Sequence, residues 1–126
     1  MNLPKNIKQE ILAQAKEESP FECCGLIGRI DQELKYFPCR NTSEDPENCF
    51  ALDGYEIVED SCDEVVGLVH SHPNGPLGFS IADQLACRRS GLSWVLVDPS
   101  TESWDYCEPL EVSSKIDKEA FLLPTI

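Results

Sequence analysis

A short apolar run, Val65 to Val69, leads straight into His70 and His72, and this junction constrains the chain more than any other stretch. Val-Val-Gly-Leu-Val has the composition of a buried strand. In extended chain alternate side chains share a face, so the two imidazoles project together, with Cα atoms roughly 7 Å apart. Pro73 disfavours helical geometry at His72 and keeps that end extended. Gly75, Pro76 and Gly78 then turn the chain, and Ser80 opens a helical pattern that carries Asp83 one turn in. Two imidazoles and one carboxylate leave a fourth position for water, which is the ligand count of a catalytic zinc site rather than a structural one. A plainer reading stands beside it. Ser80-Ile-Ala-Asp83 also fits a capping box, in which Asp83 turns back to the helix start. Capping and catalysis need not exclude each other, but a ligand Asp83 could not also reach fully back to the cap.

His70-Ser-His72-Pro73, six further residues, Ser80, two more and then Asp83 resembles the signature of the JAMM (MPN-type) metallopeptidases. That family adds a glutamate far upstream, and Glu22, in Pro20-Phe-Glu-Cys-Cys-Gly-Leu-Ile27, has the matching local context. Pro38 to Asn41, Phe50 to Asp53 and Ala86 to Trp94 are similar to the metallopeptidase half of the tail-tip proteins of lambda-like phages, more than to eukaryotic deubiquitinases. The resemblance implies a cytidine-deaminase-like α/β fold and one zinc ion per chain on His70, His72 and Asp83. It implies a base role for Glu22, because a hydrolytic zinc site needs a carboxylate that is not a ligand to take a proton from water. Ser80 would donate a hydrogen bond to the oxygen that becomes negative. The expected reaction is hydrolysis of a peptide or isopeptide bond in a protein partner, in phage tail assembly. Two alternatives remain: processing of a ubiquitin-like or sulfur-carrier protein in bacteria, and a tail-assembly scaffold with a vestigial metal site. Deaminase chemistry is not indicated, since H-x-E…P-C-x-x-C is missing.

The rest of the chain supplies a frame for these residues. Pro4 to Glu18 carries Ile7, Ile11, Leu12 and Ala15 near helical spacing, and Ser19-Pro20 ends the element. Cys24 to Ile30 reads as a strand, Asp31-Gln32 as a tight turn and Glu33 to Phe37 as the return of a hairpin. Thr42 to Asn48 is a polar loop, Phe50 and Leu52 look anchored, and Tyr55 to Asp60 suits a short helix. The helix from Ser80 runs through Ile81, Ala82, Leu85 and Ala86 to a C-cap at Gly91. Leu92 to Asp98 reads as an internal strand, and Ser103 to Cys107 alternates like one with a wet face. The order predicts an α/β domain, a mixed β-sheet flanked by helices, spanning residues 1–126 as one unit. No NlpC-type domain is expected. The apolar ending over 110–126 either docks on the domain or marks a cut in a longer chain.

Charge narrows the partners. Twenty-three Asp plus Glu against ten Lys plus Arg give a net charge of −13. Such a field repels phosphate backbones and anionic membrane surfaces, while a protein or peptide partner stays compatible. The seven cysteines are odd in number and lack C-x-x-C spacing, and no secretory signal precedes them. They suit reduced thiols in a cytoplasm, with Cys24, Cys39 and Cys87 as small core residues. No stretch approaches the roughly 20 apolar residues that span a bilayer.

Overall fold

A computed structural model describes residues 1–110 apart from Asn74 and Pro76. Residues 111–126, most of the stretch expected to dock or to mark a cut, lie outside the described residues, as does Pro76 in the turn. The elements in chain order are α1 (Lys5–Glu18), β1 (Cys24–Ile30), β2 (Glu33–Asn41), β3 (Leu52–Asp53), α2 (Tyr55–Ser61), β4 (Glu64–Ser71), α3 (Ile81–Ser90), β5 (Ser93–Asp98) and β6 (Ser103–Cys107). They form one mixed six-stranded sheet in the order β3-β2-β1-β4-β5-β6. The expected α/β class is the observed one.

The hairpin turns on Asp31 and Gln32, both with positive φ, as a two-residue connection between right-twisted strands requires. Strand β2 runs on to Asn41, past the expected end at Phe37. Pro38 is tolerated inside it because β3 pairs only with Arg40 and Asn41, leaving β2 a sheet edge at Pro38. Strand β1 is antiparallel to both β2 and β4, whereas β4 and β5 are parallel and are joined by the crossover through α3.

Alternation along the central strands sends side chains to two separate cores. Ile27, Val69, Val95 and Val97 meet Ile7, Ile11 and Ala15 of α1 on one face. Leu26, Val65 and Trp94 meet Val58 of α2 and Cys87 of α3 on the other. On α3, Ile81 and Ala82 are exposed, Ile81 to 78%, while Cys87 and Ser90 in its far half are buried. One expectation needs correction. Cys39 is half-buried against the second core rather than fully inside it, at a point of β2 that β3 does not pair with. A Cβ at Gly25 would collide with the Tyr36 ring, which crosses β1 to donate a hydrogen bond from its hydroxyl to Gln14 of α1. That crossing ties α1 to the sheet next to the start of β1.

Candidate metal centre

Strand register builds the site. Cys24 pairs with His70 across β1 and β4, so continuing the antiparallel ladder brings Glu22 toward His72. Ser71 locks that end of the ladder: its N–H donates to the Cys23 carbonyl at 3.1 Å, and its hydroxyl accepts the Cys23 N–H at 2.8 Å. Ser71 is fully buried by this and serves the scaffold, in keeping with a supporting role. The His72 N–H donates to the Val97 carbonyl at 3.0 Å, which fixes the chain as it leaves the sheet.

Glu22, His70 and His72 each offer a ligand atom, and the three atoms lie within 4.8 Å of one another. Asp83 reaches the same place from the first turn of α3. Its Oδ2 is 3.4 Å from His70 Nε2 and 3.8 Å from His72 Nε2. Donors held about 2.0–2.1 Å from one tetrahedral ion would stand roughly 3.4 Å apart, so these separations suit a shared zinc. The state of His70 supports the same fit. It is 0% exposed, yet neither ring nitrogen has a hydrogen-bond partner among the described residues. A buried imidazole without any partner is costly unless something takes its lone pair. The nitrogen and oxygen donor set is one that zinc accepts.

The capping box is also present. Ser80 Oγ accepts the Asp83 N–H at 3.0 Å, and the Asp83 carboxylate accepts the Ser80 N–H at 3.4 Å. From one rotamer Oδ2 accepts the Ser80 N–H and faces both imidazoles, and the cap bond is long, as expected of an aspartate that does not reach fully back to the cap. Accepting from Asp83 leaves the Ser80 hydroxyl proton to donate elsewhere, and Ser80 is exposed.

The two carboxylates are set apart electrostatically. Burial pushes the Glu22 carboxyl up to about 7, and the carboxylates of Asp83 and Asp45 push in the same direction. Burial would raise Asp83 too, but the His70 ring and the Ser80 hydroxyl and N–H outweigh it and hold Asp83 below the usual carboxylate range. In metal-free protein the Glu22 shift carries a stability consequence. Below pH 4.5 both folded and unfolded chains hold this proton, so it contributes nothing. Between pH 4.5 and about 7 the unfolded chain gives the proton up first, and stability falls as pH rises. Above that window the full penalty is on the order of 3 kcal/mol. Urea melts of chelator-treated protein are expected to show that decline, with Glu22→Gln flat across the window. An equal slope in both proteins would remove Glu22 as its cause.

His70 sits among aromatic rings that the sequence did not group with it. Phe50 stacks on it at 4.6 Å between centroids and 23° between planes, while Trp94 and Phe79 approach at 5.8 Å and 5.7 Å. Phe50 comes from the loop after β2, where no periodicity marks a contact; its apolar character in a polar stretch and the family resemblance of Phe50 to Asp53 were the signals, and neither placed it on His70. Beside the ligands lies a groove of about 450 Å³, with Glu22, Glu47 and His72 toward one side of its chemistry and Leu77 and Phe79 supplying apolar wall. Glu47 belongs to the polar loop and carried no sequence signal for the site.

The comparisons agree with this geometry. A model of prokaryotic homologues of the JAB domain matches residues 4–107. The chain is 39% identical over 89 residues to the tail tip assembly protein K of Escherichia phage N15, a match covering 69% of this chain and 36% of that protein. It thus spans about a third of the length of that relative. A protein of Desulfitobacterium hafniense solved in solution shares the fold, with a TM-score of 0.61 at 23% identity over 92% of this chain and 94% of that one. A site assembled from the ends of β1 and β4 and the start of α3, and a family model matching every described element, lead to one conclusion: the chain belongs to the prokaryotic homologues of the JAB domain.

Proposed function

We propose that the chain is a zinc-dependent peptidase that hydrolyses a peptide or isopeptide bond in a protein partner during phage tail assembly. The observation that carries this reading is the convergence of a fully buried His70, whose ring nitrogens make no hydrogen bond among the described residues, with His72, Asp83 and Glu22. His70, His72 and Asp83 are the proposed ligands. Zinc held there would act as a Lewis acid and bring the pKa of water near 7. Glu22 takes the proton from the attacking water and returns it to the departing amine, a role that needs a group near its own pKa at working pH. The Ser80 hydroxyl, at the helix start beside the ligands, donates to the oxygen that gains negative charge, a contact worth roughly 3 kcal/mol of barrier. The groove leaves room for an extended chain to present one carbonyl.

The tail-assembly setting is supported by the name of the phage N15 relative. The charge of −13 disfavours nucleic acid as substrate. No helix among the described residues is long and apolar enough to cross a membrane, which suits a partner met in the host cytoplasm or on the tail. The test is incubation of zinc-loaded protein with tail-tip proteins and with ubiquitin-like fusions, with cleavage read by mass spectrometry. Cut tail proteins are the expected result. Cleavage confined to the ubiquitin-like fusions would replace the setting, and turnover of neither would remove the peptidase reading.

A further inference from the structure

We propose that Asn41 is a positioning residue that sets both halves of this site through the loop it closes; the inference rests on the functional reading above. Asn41 is the last residue of β2, and its side chain makes four hydrogen bonds. Nδ2 donates to the carbonyls of Glu22 at 2.9 Å and Cys49 at 3.0 Å. Oδ1 accepts the N–H groups of Ser43 at 3.0 Å and Ala51 at 3.1 Å. A carboxamide has two donors and two acceptor lone pairs, so this one is fully used, and only one orientation of it satisfies all four partners.

Each pair of bonds acts on a different part of the site. The Glu22 carbonyl is held by Asn41, and the Glu22 N–H donates to the Pro46 carbonyl at 2.7 Å. The backbone of Glu22 lies outside any strand or helix, so the 41–51 loop is what fixes it on both sides. The bonds to Cys49 and Ala51 flank Phe50 and hold its ring against His70. A metal-ligating histidine ordinarily has its second nitrogen hydrogen-bonded, which sets ring and tautomer. His70 has no such bond among the described residues. The stack of Phe50, braced by Trp94 at 6.1 Å, takes over that task. Asn41 therefore acts on the proton carrier directly through its backbone, and on the imidazole through one aromatic ring. Aspartate in its place keeps the two acceptor bonds but sets a charge against two carbonyl oxygens. Alanine loses all four.

The experiment reads the histidine rings of metal-free protein by ¹H–¹³C NMR, and zinc affinity by competition with a chelator. In the wild type the Phe50 face shields the His70 ring protons. Asn41→Ala, Asn41→Asp and Phe50→Leu are each expected to lose that shielding and to bind zinc roughly 10–100-fold more weakly. Phe50→Tyr, which keeps the stack, is expected to restore both. A loop that merely stabilised the fold would lower the melting temperature and leave the ring signals in place. Where Asn41→Ala does not fold, Asn41→Asp and Phe50→Leu are judged on the same spectra. Folded variants with wild-type His70 signals and zinc affinity within twofold overturn the proposal. Failure of the wild type to bind zinc overturns the functional reading instead, and the ring signals still decide the positioning role.

Discussion

Glu22→Gln is expected to slow hydrolysis by roughly 10²- to 10⁴-fold while the protein keeps its zinc. The experiment separates two carboxylates that geometry alone leaves close to equivalent. Glu22 lies within ligand distance of both histidines, and so does Asp83. Their electrostatics differ. Asp83, held below the usual range, is ionised at any working pH and suits a permanent ligand. Glu22, pushed up to about 7 in metal-free protein, is the more readily protonated of the two and suits general acid–base chemistry. Glutamine keeps the shape and removes only that proton. Rates come from a cleaved tail-protein substrate, and zinc from elemental analysis of the same sample. If the variant loses its zinc, Glu22 is a ligand and the assignment of the two carboxylates is reversed. If it keeps both zinc and rate, Glu22 is not the base.

Asp83→Asn and His70→Ala are expected to fall from about one zinc per chain to nearly none. Asparagine keeps an oxygen for the Ser80 N–H and so preserves the capping box while removing the charge that a ligand needs. The helix start should survive, and the metal-free asparagine variant should melt within a few degrees of the wild type. The difference appears when zinc is added. At a thousandfold excess over its dissociation constant, a ligand that binds only the folded state stabilises it by about 4 kcal/mol. The wild type is expected to gain that and the two variants to gain almost nothing. Equal zinc-dependent shifts in all three proteins would move the site elsewhere.

Much of this site was legible because its parts lie close in sequence and carry strong local signals. His70, His72 and Asp83 fall within one strand, turn and helix start, and period-two geometry alone puts the imidazoles together. The hairpin was legible at its turn, where the two-residue connection puts Asp31 and Gln32 at positive φ, but its far end was not, since Pro38 looks like a stop until β2 is known to be an edge there. The burial of α3 does not follow its apolar residues: Ile81 is exposed, while Asp83 two residues on reaches the histidines. Glu47 was beyond reach, and Asn41 and Phe50 stood in stretches of family resemblance without a role attached. Their roles come from hydrogen bonds and ring contacts across a loop with no repeat, which only the closed tertiary structure defines.

The pairing of β1 with β4 has a consequence for how the chain leaves the ribosome. β1 lies between β2 and β4, and its second neighbour is encoded well after its first. At about 5–20 residues per second, synthesis would pass from Ile30 to Ser71 in roughly 2–8 s. Through that interval the nascent hairpin can satisfy only one side of β1, and the other presents open backbone donors and acceptors to any neighbouring chain. Glu33, Glu44, Asp45 and Glu47 are all already synthesised by then, and like charge on each nascent copy discourages such pairing between chains. The acidity that repels phosphate in the finished protein would thus also guard an unfinished sheet.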